Sequence, residues 1–165
     1  SKSGKTLYGY QKDAIDKMMG KFNDKSTNFN LLFQLPTGGG KTVIFSELAK
    51  RFILSTGKKV LILTHRIELL GQTSKMLSEI GVPNKVINAK VKDLDDGEEH
   101  WCYVAMVETL NNRINDEQMV FDDLGLVIVD EAHYNSFRKL FKHFREQILL
   151  GVTATPLSSN ILSFL

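Results

Sequence analysis

At 165 residues, with 42% hydrophobic and 24% charged side chains, the chain suits one soluble globular domain with a sizeable core. Its formal net charge is only +2, so any hold on nucleic acid must come from locally placed donors and not from a broad basic field. The single Cys102 excludes an internal disulfide and suits a reducing compartment. The first 30 residues are polar and Lys-rich with no signal segment, and no apolar run approaches the roughly 18 residues of a membrane span. The expected setting is the cytoplasm, with no membrane partner.

In chain order, Ala14, Ile15, Met18, Met19 and Phe22 recur at a helical period over Tyr10–Phe22. A polar stretch, Asn23–Asn30, leads into a short apolar strand at Leu31–Phe33. Val43–Leu54 reads as a helix with Val43, Leu48 and Phe52 inward, and Val60–Leu63 as a strand buried on both faces. Ile67–Ile80 is helical, closed by Gly81 and Pro83. Val86-Ile87 forms a short strand and Trp101–Met106 a longer one, with Cys102 in its apolar run. The five acids among Asp93–Glu99 between them read as a solvated loop. Leu110 and Ile114 mark a further helix, followed by a strand at Leu124–Val129, a helix at Phe137–Phe144 and a last strand at Ile148–Val152. Strands alternating with helices at this spacing predict a doubly wound, mostly parallel sheet covered by helices on both faces, in a single domain over residues 1–165. Ligands of such sheets sit at the carboxyl ends of the strands.

Two motifs fall at such ends. Leu35-Pro36-Thr37-Gly38-Gly39-Gly40-Lys41-Thr42 lies between a strand and a helix. Glycines there let backbone N–H groups close around phosphates, and the helix start adds a favourable field. Lys41 can reach the β/γ-phosphates and the Thr42 hydroxyl can ligate Mg²⁺. The strict pattern wants glycine where Leu35 stands. The second motif, Val127-Ile128-Val129-Asp130-Glu131-Ala132-His133, is an apolar strand running into two carboxylates. The first can hold Mg²⁺ and the second can polarise an attacking water. Together the two motifs predict a nucleoside-triphosphate site.

Four segments in this order, LPTGGGKT at 35–42, LTHRIELLGQ at 63–72, VIVDEAHY at 127–134 and GVTATP at 151–156, preceded by Tyr10-Gln11, resemble the first RecA-like domain of superfamily 2 helicases of the DEAD/DEAH-box type. The likeness covers nearly the whole chain, and is greatest to the type III restriction-subunit and bacterial DNA-repair group. It implies that Gln11 reads adenine and that Thr37, Gly38, Gly39, Gly40, Lys41 and Thr42 bind the nucleotide. It further implies Thr42 and Asp130 as Mg²⁺ ligands, and Glu131 with Lys41 as catalytic residues. Nucleic-acid contacts fall to Arg66, with Thr109 and Arg113 on the helix after Met106, where relatives usually carry threonine. His133, Thr153 and Thr155 couple the nucleotide site to the partner domain.

The expected function is therefore that of an ATP-binding motor domain of a helicase or translocase, with ATP and Mg²⁺ as cofactors and DNA favoured over RNA. The Thr153-Ala154-Thr155 form and the His65-Arg66 pair underlie that preference. A second RecA-like domain, expected elsewhere in a longer parent chain, supplies an arginine finger. The alternatives are an RNA helicase domain, a duplex translocase, and a nucleotide-sensing switch without motor turnover.

Overall fold

The computed structural model describes residues 9–23, 30–34, 40–88, 99–115, 123–131, 139–140, 142–144, 146–153 and 163–164. In chain order they form α1 (Gly9–Asn23), β1 (Asn30–Gln34), α2 (Lys41–Thr56), β2 (Lys59–Thr64), α3 (Ile67–Glu79), β3 (Asn84–Ile87), β4 (Cys102–Met106), α4 (Val107–Asn115), β5 (Leu124–Asp130), β6 (Ile148–Thr153) and β7 (Ser163–Phe164). The strands lie in one sheet in the order β3-β4-β2-β5-β6-β1-β7. Pairings among the first six are parallel; β7 runs antiparallel to β1 at the edge.

Both faces of this sheet are buried, as the continuous apolar runs require. Because side chains alternate along a strand, each run feeds two cores. Val60 and Ile62 of β2, Cys102 and Val104 of β4, and Leu150 and Val152 of β6 face one core with Ile15 and Met18 of α1, Ile44, Leu48 and Phe52 of α2, and Met76 and Leu77 of α3. Leu61, Leu63, Tyr103, Ala105, Val127, Val129 and Leu149 face the other, with Val107 and Leu110 of α4 and with Leu140 and Phe144. The doubly wound arrangement expected from the sequence is present. Cys102 lies in the first core, where burial pushes its thiol well above the ordinary range.

The predicted strands and the four predicted helices up to Asn115 all form, with ends displaced by a residue or two. Two segments differ in what can be said of them. Of the expected helix over Phe137–Phe144, the described residues carry a turn in which the Leu140 carbonyl accepts hydrogen bonds from the N–H groups of His143 and Phe144. The acidic run lies outside the described residues except for Glu99, which is exposed. The antiparallel β7 has no counterpart in the sequence reading: two residues are too few for a periodic signal. Among the described residues, no helix is long and apolar enough to cross a membrane.

One irregularity sets how β5 presents its end. Lys59 of β2 pairs with Leu124, but Val60 pairs with Leu126, so Gly125 is an extra residue in β5. Such a bulge moves the following side chains to the opposite faces. Leu124 accordingly shares a core with Val127 and Val129. A Cβ at Gly125 would stand 2.9 Å from Lys58 Cβ and 2.9 Å from Phe52 Cε1, neither of which is a flexible tip. Gly125→Ala is therefore expected to destabilise the domain by about 1–3 kcal/mol, the usual cost of overpacking. Urea unfolding of the two proteins checks this; an unchanged midpoint would show that the bulge has room to spare.

Candidate active site

The parallel register aligns the strand ends that carry the predicted site. Thr64 at the end of β2 stands beside Met106 of β4, Leu63 pairs with Val129, Asp130 of β5 with Val152, and Gln34 of β1 with Thr153 of β6. The polar residues Thr64, Asp130, Thr153 and Gln34 thus form a row along the carboxyl edge. Thr64, Asp130 and Thr153 are buried, whereas Gln34 is exposed.

The helix after β1 supplies the cation. α2 begins at Lys41, with Gly40 as its N-cap in the left-handed region (φ 71°) and no side-chain capping bond. The Gly40 carbonyl accepts hydrogen bonds from the N–H groups of Val43 and Ile44. A helix start left without a capping side chain offers first-turn N–H groups and a positive field to an anion. Lys41 extends from this turn past the end of β6 to β5, where its Nζ lies 3.8 Å from Asp130 Oδ1. Thr42 is half-buried in the same turn. Gly40 is favoured by its positive φ, and a Cβ there would meet the amide tip of Gln11, which would have to move aside. Gln11 on α1 is buried beside Gly40, which brings the first helix against the start of α2.

Asp130 is the buried charge of the site. Desolvation raises its pKa above the ordinary carboxylate range. Lys41 opposes that shift, the Glu131 carboxylate adds to it, and the Glu131 backbone N–H and His65 act with Lys41. Asp130 Oδ1 has no hydrogen-bond partner. Glu131 follows with φ 52°, one of two non-glycine positive values among the described residues. Left-handed backbone at a non-glycine residue is uncommon and clusters where side-chain placement is functional.

Glu131 is met from the α3 side. Arg66 precedes α3, and its backbone N–H donates to Thr64 Oγ1 at 3.1 Å. Its guanidinium reaches Glu68 Oε1, with Nε at 2.9 Å and Nη2 at 2.8 Å, and its Nη1 lies 3.8 Å from Glu131 Oε1. A hydrogen bond to its own backbone, and then Arg66, hold the Glu68 carboxyl below its usual range. Sequence reasoning missed Glu68 altogether, and missed the contribution of His65 at Asp130. An acid in the first turn of a helix is a readable signal, but it points to helix stability and not to the partner it shares.

Of the residues singled out from sequence, Gln11, Gly40, Lys41, Thr42, Asp130, Glu131, Arg66 and Thr153 all lie at or against the carboxyl edge. Thr109 is half-buried on α4, which starts where β4 ends beside β2; Arg113 lies on the same helix, its side chain outside the described residues. Thr37, Gly38, Gly39, His133 and Thr155 also lie outside them.

The raised pKa of Asp130 fixes the sign of a pH effect. The folded chain holds this proton to higher pH than the unfolded chain does. Asp130 therefore costs stability as pH rises above its unfolded value near 3.9, and costs nothing well below it. In EDTA and without nucleotide, Asp130→Asn is expected to raise the melting temperature at neutral pH by about 2–4 °C, the shift that ~1 kcal/mol produces in a domain of this size. That gain fades as the pH is lowered toward 4. Thermal melts across the pH range check it, and a variant less stable than the parent at pH 7 would mean that Lys41 outweighs desolvation.

Comparison with known proteins bears on this geometry. The candidate ATP-dependent helicase IRC3 of Saccharomyces cerevisiae is 35% identical over 153 residues, covering 87% of this chain and 22% of IRC3. The UvsW helicase of bacteriophage T4 superposes with a TM-score of 0.70 at 19% identity, covering 92% of this chain and 53% of that one. A nuclease-deletion mutant of the type ISP restriction-modification enzyme LlaGI, in complex with a DNA substrate mimic, gives 0.69 at 19% identity, over 96% of this chain and 18% of that one. The chain thus spans about a fifth of IRC3, and the structural likenesses establish a RecA-like helicase fold. The profile of the type III restriction enzyme res subunit family matches residues 4–158, nearly the whole chain, and the chain belongs to that family.

Proposed function

We propose that this chain is the ATP-binding motor domain of a helicase or translocase that couples Mg²⁺-dependent ATP hydrolysis to movement on nucleic acid. The observation that carries the reading is the 3.8 Å approach of Lys41 Nζ, on the first turn of α2, to Asp130 Oδ1 at the end of β5. Family membership supports ATP use, and the name of the IRC3 relative supports coupling to a nucleic-acid motor.

Each residue has a task in phosphoryl transfer, where catalysis is chiefly positioning and electrostatics. Gly40 and the start of α2 present backbone donors to the phosphates. Lys41 exchanges Asp130 for the β/γ-phosphate oxygens, which carry more charge. Asp130 and Thr42 fit a hard cation: one carboxylate oxygen is buried without a hydrogen-bond partner, and a hydroxyl stands in the adjoining helical turn. Mg²⁺, when bound, neutralises charge on the phosphates. Glu131 orients the attacking water and accepts its proton. Gln11, which lies beside Gly40, reads adenine, and Thr153 couples phosphate state to the partner domain. Thr37, Gly38, Gly39, His133 and Thr155 complete these tasks in the proposal.

Arg66, with Thr109 and Arg113, forms the nucleic-acid track, and a second RecA-like domain supplies an arginine finger. DNA is preferred over RNA on the strength of the His65-Arg66 and Thr153-Ala154-Thr155 pattern and of the DNA mimic bound by the LlaGI relative. A reducing cytoplasmic setting accords with Cys102 lying buried as a free thiol.

Two substitutions separate the roles. Lys41→Ala is expected to weaken ATP binding by about 10- to 100-fold, the worth of a charge-assisted hydrogen bond to phosphate. In the full-length protein, Glu131→Gln keeps ATP affinity while lowering turnover by about 10²- to 10⁴-fold, as for a general base. Calorimetry and steady-state hydrolysis with single-stranded DNA or RNA present make the measurement. Equal ATP affinity in Lys41→Ala, or parental turnover in Glu131→Gln, would refute the corresponding assignment.

A further inference from the structure

The nucleotide site and the nucleic-acid track meet at one side chain. The Arg66 guanidinium is divided between two carboxylates: Nε and Nη2 are given to Glu68 at 2.9 and 2.8 Å, while Nη1 lies 3.8 Å from Glu131. Glu131 leaves β5 through a left-handed residue, so its carboxylate comes off the end of the strand within reach of the start of α3. The three side chains are 54%, 51% and 38% exposed for Arg66, Glu68 and Glu131. Ion pairs this open to water are weak and exchange readily. A phosphate diester oxygen pair is a strong bidentate partner for the same planar fork, and can displace both carboxylates.

We propose that Arg66 is a positioning residue for Glu131 as well as a phosphate contact. With no nucleic acid bound, it holds the Glu131 carboxylate toward α3 and away from the attacking water. A backbone phosphate that takes the guanidinium releases Glu131 to the nucleotide. Glu68 sets the strength of that restraint by keeping two of the Arg66 donors occupied, so that Glu131 is held only through the third. Nucleic-acid binding thereby raises ATP turnover without any change in nucleotide affinity. This inference rests on the reading of Arg66 as a nucleic-acid contact and of Glu131 as the base.

The test uses the full-length protein and its Arg66→Ala and Glu68→Gln variants, measuring kcat and KM for ATP with and without a single-stranded oligonucleotide. Oligonucleotide affinity is followed by fluorescence anisotropy over a salt series. Arg66→Ala is expected to raise basal kcat by about two- to fivefold, the scale of an exposed ion pair, with KM for ATP unchanged. It also loses much of its stimulation and flattens the salt slope by about 0.7, one phosphate contact on a single strand. Glu68→Gln leaves Arg66 to Glu131 alone, so basal kcat falls by about two- to fivefold while oligonucleotide-stimulated kcat stays at the parental value. A purely structural role for either residue would move neither basal rate in these opposite directions. If Arg66→Ala loses oligonucleotide affinity but its basal kcat is unchanged or lower, the restraint on Glu131 is refuted and the phosphate contact stands. If affinity and salt slope are unchanged, the phosphate contact itself is refuted, and the inference with it.

Discussion

Asp130 is a carboxylate at the end of a fully buried strand, and the site is organised around the problem it poses. A charge taken out of water must be met by other charges or by hydrogen bonds. Asp130 is met only in part: Lys41 approaches to 3.8 Å, and one oxygen has no hydrogen bond at all. A well-satisfied aspartate would be a better structural element and a poorer cation ligand. In the proposed function, a cation completes the electrostatics at this oxygen.

The sheet makes that deficit possible. Strand order sets β6 between β5 and β1, and the start of α2, which follows β1 in the chain, meets the acid at the end of β5. Lys41, on the first turn of α2, has the length to reach Asp130. Both faces of the sheet are packed by helices, which fixes the strand ends relative to one another. Gly125 adds one residue to β5 where it passes Phe52 and Lys58, and the faces of the residues that follow depend on that bulge. Gly40 similarly lets the start of α2 approach the Gln11 side chain closely.

Acidic and basic groups alternate along the carboxyl edge. Lys41 faces Asp130, and Arg66 faces Glu131 and Glu68. Each cation therefore has a resident carboxylate that a phosphate can replace, the triphosphate at Lys41 and a nucleic-acid backbone at Arg66 in the proposed function. Resident counter-ions lower the cost of keeping cations near a buried site before the ligand arrives. Asp130 and Glu131 are consecutive in the chain, so in the proposed function the two ligands act on neighbouring carboxylates.

The residues themselves were enough to determine the architecture and the nucleotide motif. Runs such as Val60–Leu63 and Leu124–Val129 carry their burial in composition, and the Gly38–Thr42 segment and Asp130-Glu131 carry chemistry in their order. Local periodicity is a property of neighbours in sequence, so it survives without a fold. Other features depended on the tertiary structure because they are relations between distant segments. The bulge at Gly125 exists only against β2, and the two-residue β7 only against β1. Glu68 reads from sequence as an ordinary first-turn acid; only the approach of β5 to α3 makes it a competitor for Arg66. Sequence placed Lys41 and Asp130 in one site by motif. The parallel register and strand order decided that they meet across β6, with one carboxylate oxygen buried and without a hydrogen-bond partner.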